Sequence, residues 1–177
     1  MLPLDFESRE LEKVADAYEA TPKQVKLSGI RAAKRTAGTI RRISSKGLQT
    51  ELGLRNARAL RRRIKEYRVD GRWTGYKVWI GTNDLPLSAF KGRPKKVAGG
   101  IKFGETMIHG AFLAKVGGKR GVYKRTGDGS YPIIEPSLPV ADRMVIYLED
   151  EVFVDVDNIF FKHFTSEIRA RTQLGVG

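Results

Sequence analysis

The chain offers few residues that could perform chemistry. Its two histidines, His109 and His163, stand far apart, and it has no cysteine. Thiolate metal sites, disulfides and cysteine nucleophiles are therefore excluded. A histidine-based metal site would have to borrow carboxylates from elsewhere, and no ligand spacing stands out. Gly117-Gly118-Lys119-Arg120 resembles a phosphate loop only in composition. A P-loop would need glycine at position 113 and Ser or Thr at 120, where the chain has Leu113 and Arg120. Ser130 is not set in the G-x-S-x-G of a nucleophile elbow. The acids from Glu149 to Asp157 are of the type that holds magnesium, but a solvated face or docking patch explains them better. No nucleophile–base pair, metal set or cofactor motif emerges. The expectation is a protein that is not an enzyme and needs no cofactor or metal, with His109 a turn residue and His163 a partly buried neighbour of aromatic packing.

Charge is the informative property. The 177 residues hold 33 basic and 20 acidic side chains, a net of +13. All of that excess lies between Lys23 and Arg68, where the acids are Glu51 and Glu66 alone. Residues 1–22 and 142–157 are acidic. Ordinary solvated faces mix signs, so a segregated block implies a partner. Two readings follow. The block grips nucleic-acid phosphates, or it meets acidic patches, within the chain or on a neighbouring subunit. Aromatic residues are nearly missing from 21–66, so that block offers no base stacking. The interface candidates are Arg41, Arg42, Arg61, Arg62 and Arg63 on one side and Glu149, Asp150 and Asp155 on the other; the same arginines are candidates for facing DNA in a channel.

These side chains need elements to hold them. Leu11, Val14, Ala15 and Tyr18 recur at helical spacing, predicting a short acidic helix over 8–20. Thr21-Pro22-Lys23-Gln24 is a helix-start signal with a capping box. A basic helix should run from there to a stop at Gly47, and a second from Leu54 to Tyr67, ended by an Asp70-Gly71 turn. Tyr76–Ile80 alternates as a strand, and Asn83–Thr106 reads as an exposed glycine-rich loop. Residues 112–116 and 122–125 flank a Gly-Gly hairpin tip, and 131–135 is an edge strand because of Pro132. Pro139 should open a helix, which either continues as one long helix or breaks into two near 153–157, where alternating valines disfavour helix. Trp79, Phe112, Ile133, Phe160 and Phe164 are the expected common core.

These elements give an α+β fold: a small antiparallel sheet from 73–82, 111–125 and 131–135, packed with the basic N-terminal helices and the C-terminal helices. Residues 1–20 form an acidic helical arm, and 21–177 one domain. No run of about 18 apolar residues is present, so no membrane span is expected. The opening Met-Leu-Pro-Leu-Asp-Phe-Glu-Ser lacks the marks of a signal peptide, and a reducing cytoplasm is the expected place of synthesis.

The ordered set of segments resembles the minor tail protein Z family, the tail completion proteins of long-tailed bacteriophages. It comprises Ala32-Ala33-Lys34-Arg35-Thr36-Ala37, Ala59-Leu60-Arg61-Arg62-Arg63-Ile64-Lys65, Val78-Trp79-Ile80-Gly81, His109-Gly110-Ala111-Phe112-Leu113, Gly121-Val122-Tyr123-Lys124-Arg125 and Tyr131-Pro132-Ile133. The resemblance spans about residues 23–172; the acidic arm departs from it. It implies a structural virion protein at the head-proximal end of the tail, assembled in the host cytoplasm as a six-fold ring. Its implied partners are the tail terminator, the tail tube and the head–tail connector, with genomic DNA in the channel. The alternatives are a small basic nucleic-acid-binding protein and, more distantly, a nuclease-like enzyme using His109 with Lys or Arg.

Overall fold

The computed structural model describes residues 8–69, 75–127, 129 and 132–175. The expected Asp70-Gly71 turn, Ser130, Tyr131 and the first seven residues lie outside them. The fold is α+β, with helices beside small antiparallel sheets. It separates into two compact units: residues 1–45, 64–80 and 148–177 form the first, and 46–63 with 81–147 the second. The acidic N-terminal segment thus belongs to the first unit, and the division does not fall at residue 21.

In the first unit, helix α1 spans Ser8–Ala17. It ends in a Schellman turn: the Ala20 N–H donates to the Ala15 carbonyl at 3.0 Å and the Glu19 N–H to Asp16 at 3.0 Å. Glu19 takes the left-handed position, with φ of 49°. The capping box follows as expected. Thr21 N–H donates to Gln24 Oε1 at 2.9 Å, and Gln24 N–H to Thr21 Oγ1 at 3.4 Å. It starts α2, Pro22–Glu51, whose last turns, from Lys46, belong to the second unit. This helix does not stop at Gly47. It closes with a second Schellman turn, Leu54 N–H to Gln49 O and Gly53 N–H to Thr50 O, with Gly53 at φ 65°. The packing partner of Gly47 explains why that glycine stays helical. A Cβ there would collide with the Tyr147 phenol, so the glycine admits an aromatic ring against the helix instead of ending it.

The predicted helix over 54–67 is the largest departure. Only Arg58–Arg61 is helical (α3), and Ile64–Val69 is a strand, β1, paired antiparallel with β2, Gly75–Ile80. The apolar spacing of Leu60, Ile64 and Tyr67 suits a helix, but Ile-Lys-Glu-Tyr-Arg-Val also alternates. The tie is broken by cross-strand pairing, which gives β2 a partner. At the C-terminal end the chain widens into a π turn over Leu148–Val152 and tightens into a 3-10 turn over Phe153–Asp155. Helix α5, Val156–Gln173, follows. The chain therefore breaks among the valines rather than running as one long helix. Phe160, Phe164 and Ile168 of α5 pack with Ala32 of α2 and Ala15 of α1. The Phe160 and Phe164 rings stack with centroids 5.8 Å apart.

The second unit contains the remaining sheets. Leu85–Pro86 (β3) pairs with Ser137–Leu138 (β10). Lys95–Val97 (β4), Gly100–Phe103 (β5) and Thr106–His109 (β6) form a meander. Ala111–Val116 (β7), Lys119–Arg125 (β8) and Ile133–Ile134 (β9) form another. The strands expected in one sheet are therefore divided: 75–80 pairs with 64–69, while 111–125 pairs with 133–134. The hairpin tip at Gly117-Gly118 is as expected, with both φ values positive as a type I′ turn requires. β9 is an edge strand.

Segment 83–106, expected as a loop, is instead mostly strand and turn. Ile101 and Phe103 alternate inward and are buried, as is Phe90. The glycines mark hairpin tips between strands. Helix α4 begins at Ala141, because Ser137 and Leu138 are committed to the strand pair. The expected common core is corrected in three members. Trp79 is 44% exposed. Phe112 and Ile133 are half-buried, and the Arg125 guanidinium lies 5.0 Å over the Phe112 ring. Phe160 and Phe164 are buried as expected, in the first unit only.

Candidate assembly surface

Helix α2 sorts its residues by periodicity. Ser28, Ala32, Thr36, Ile40 and Ser44, at four-residue steps, are buried. Arg31, Lys34, Arg35, Arg41 and Arg42 are exposed. At about 3.6 residues per turn, small and apolar side chains in that row let neighbouring elements approach while the cations keep their water. Two of these cations have acidic partners. Arg35 Nη1 lies 2.9 Å from Glu167 Oε1, and Arg41 Nε 3.7 Å from Glu66 Oε2. Arg42 forms no ion pair among the described residues.

Glu167 is also held by Arg171, whose Nη1 lies 2.9 Å from Oε2. Burial works against its ionised form, but hydrogen bonds from Arg171 and Arg35 outweigh that and hold the carboxyl below its ordinary range. His163, one turn earlier on α5, sits with Nε2 3.2 Å from Thr39 Oγ1. Burial, then the nearby Arg35 and Lys162 charges, push its pKa down, so its neutral form is favoured.

In the second unit, Arg61 closes α3 and Arg62 follows it; both are exposed and without ion pairs among the described residues. Arg63 differs. It is half-buried, and its guanidinium donates to the backbone carbonyls of Asn83 and, at 2.9 Å, Asp84. It is occupied in holding a loop. Glu149 and Asp150 are exposed on the π turn of the first unit, and Asp155 is exposed at the start of α5. Asp155 accepts a hydrogen bond from Asn158 at 3.1 Å. None of the three acids pairs with any of the five candidate arginines. Among the described residues other acids make the internal pairs: Glu51 with Arg143, Glu66 with Arg41, Glu105 with Lys102, and Glu167 with Arg35 and Arg171.

His109 is exposed at the end of β6, opposite Gly100, and belongs to a different unit from His163. No group of three His, Cys, Asp or Glu among the described residues is placed to hold a metal ion. The concavity bounded by Leu52, Phe90, Phe103, Lys91 and Arg143 has only cations as charged lining. The one bounded by Tyr18, Thr165, Ser166, Lys162 and Arg169 is likewise without an acid.

Sequence reasoning missed two features. The Glu167 ion-pair centre had a visible signal, Glu167 and Arg171 at i and i+4 on a helix. The exposed face of the β1–β2 hairpin had one too, the alternation of Lys65, Tyr67 and Val69, obscured by the helical spacing. Set against family models, curated proteins and solved structures, the chain has no significant match to any.

Proposed function

We propose that this chain is a tail completion protein of a long-tailed phage. It is a structural virion protein, one copy of a hexameric ring that caps the head-proximal end of the tail tube and makes the tail competent to join the head. Its partners are neighbouring copies of itself, the tail terminator and tube proteins, and the head–tail connector, with genomic DNA in the channel. It resides in the virion neck after assembly in the host cytoplasm. No helix among the described residues is long and apolar enough to cross a membrane.

The observation that carries this reading is the pairing pattern of charge. Among the described residues the ion pairs within the chain use Glu51, Glu66, Glu105 and Glu167, while Glu149 and Asp150 on one hand and Arg42, Arg61 and Arg62 on the other are exposed and make none. A cyclic ring needs two different complementary surfaces on each subunit. Unspent charges of both signs supply such surfaces, and supply orientation more than raw affinity.

The test combines Arg61→Glu with Arg62→Glu. Exposed charges contribute roughly 0–1 kcal/mol to stability, so the variant should fold. It should form no rings by electron microscopy and should fail to restore head joining to tails that lack the completion protein. Reversing Glu149 and Asp150 to Lys in the same chain should recover assembly where these are the true partners. Full joining activity of the arginine variant would remove this block from the assembly surface.

A further inference from the structure

The β1–β2 hairpin presents two unlike faces. Its register pairs Lys65 with Trp79 and Tyr67 with Lys77, and residues directly opposite each other share a face. Lys65, Tyr67, Val69, Lys77 and Trp79 therefore stand together, and all are exposed: Tyr67 by 47%, Val69 by 45% and Trp79 by 44%. The other face carries Ile64, Glu66, Tyr76, Val78 and Ile80, all buried or half-buried, with Arg68 exposed towards the hairpin end.

Two properties of the exposed face are specific. The first is its checkerboard: each aromatic ring is directly across from a lysine. The second is the sign of its charge. The one acid of the described hairpin, Glu66, is on the opposite face, where it meets Arg41 at 3.7 Å. Nothing acidic in β1 or β2 competes for the lysines. An aromatic body with water on it is costly to leave bare, and exposed aromatics among cations suit a ligand with both flat π faces and anions.

We infer that this face is a binding surface for single-stranded nucleic acid, with Trp79 and Tyr67 stacking bases and Lys65 and Lys77 neutralising the flanking phosphates. Diagonal neighbours on an antiparallel pair lie ~7–8 Å apart. That is about twice the ~3.4 Å step of a stacked strand, so the two rings serve unstacked, successive nucleotides. A duplex keeps its base faces covered and offers such rings nothing. The lysines and the stacking rings act alike on either nucleic acid, so DNA and RNA single strands should both bind. This surface shares no residue with the arginines and acids of the proposed ring contact, and the inference does not depend on that reading.

The test uses the full chain and three fluorescent probes, oligo-dT, oligo-rU and a mixed-sequence duplex of the same length. Binding is measured from about 50 mM to about 200 mM salt, a range over which phosphate contacts weaken steeply. Two variants are compared, Tyr67→Ala with Trp79→Ala, and Lys65→Gln with Lys77→Gln; circular dichroism checks that each is folded. The aromatic variant should lose about tenfold or more of its single-strand affinity. Its duplex affinity and salt slope should stay as they were. The lysine variant should reduce the log–log salt slope on single strands by about 1.4, which is two phosphates at ~0.7 each. Unchanged single-strand binding in the aromatic variant, or equal loss on single strand and duplex, would overturn the assignment. So would an aromatic variant that keeps its affinity but loses self-association, which would identify a second copy of the chain as the occupant. Intact rings with lost single-strand binding would support this surface, whereas intact binding with lost rings would leave the ring reading standing and this one refuted.

Discussion

Glu167 and Arg171 stand one turn apart on α5 with Oε2 and Nη1 2.9 Å from each other, and the arginine side chain is 3% exposed. Arg35 closes on the other carboxylate oxygen. The pair anchors the basic helix α2 to the C-terminal helix of its unit. Removing the carboxylate strands a buried guanidinium whose Nε already lacks an acceptor. Glu167→Ala should therefore cost about 3–5 kcal/mol, the usual penalty for breaking a buried pair from one side. Denaturant unfolding measures it, and a loss below about 1 kcal/mol would show that water reaches Arg171 in the folded chain.

The same centre sets the acid response. His163 is held below its ordinary value, so on acidification the unfolded chain takes up that proton first. Stability should begin to fall as the pH drops through the ordinary histidine value of 6.5. Glu167 is also held low, so its contribution is complete above the ordinary carboxylate range and is lost as the pH falls through its lowered value. Unfolding midpoints across this range should decline in two stages. His163→Gln should remove the first and Glu167→Gln the second; a wild-type profile flat from neutral to strongly acid pH would contradict both.

Phe164 and Trp79 should behave oppositely. Phe164 is fully buried beside Phe160, so Phe164→Ala should cost about 3–5 kcal/mol, a large part of the ~5–15 kcal/mol that holds a domain folded. Trp79→Ala should cost little, since the ring is 44% exposed. Soluble yield and melting of the two variants give the comparison, and equal losses would place Trp79 in a core.

Gly47 tests helix α2. Alanine there would ordinarily gain about 0.5–1 kcal/mol in a helix interior. Here its Cβ meets the Tyr147 ring, and overpacking of that kind costs about 1–3 kcal/mol. Gly47→Ala alone should destabilise. Combined with Tyr147→Ala it should show the helix gain, a non-additive cycle measurable by denaturant unfolding.

Glu19 holds the left-handed position that ends α1, at φ 49°. Gly53 does the same work for α2 without a Cβ penalty. Glu19→Gly should stabilise the chain by roughly 0.5–1 kcal/mol, the relief of left-handed strain less the added freedom of the unfolded glycine. A destabilised variant would mean that the Glu19 side chain contributes more than its backbone strain costs.

Local chemistry was readable from residues alone. Thr21, Pro22 and Gln24 determine a helix start because their side chains satisfy backbone groups three residues away. Gly117-Gly118 determines a hairpin because the turn needs positive φ. The block of charge, the absence of cysteine and the buried Phe160 and Phe164 were equally legible, since composition and helical spacing are properties of the chain. Tertiary structure decided what depends on a distant partner. Ile64–Val69 is a strand because β2 pairs with it, and that pairing turns Trp79 outward beside Lys65. Gly47 continues a helix because Tyr147 fills the space above it, a hundred residues later. Segment 95–109 becomes a meander because Ile101 and Phe103 find a core, although its lysines and glycines suggest a loop. The candidate surface divides the same way: the sequence supplies its arginines and acids, but which of them are spent on internal pairs is settled by side chains that meet only in the folded chain.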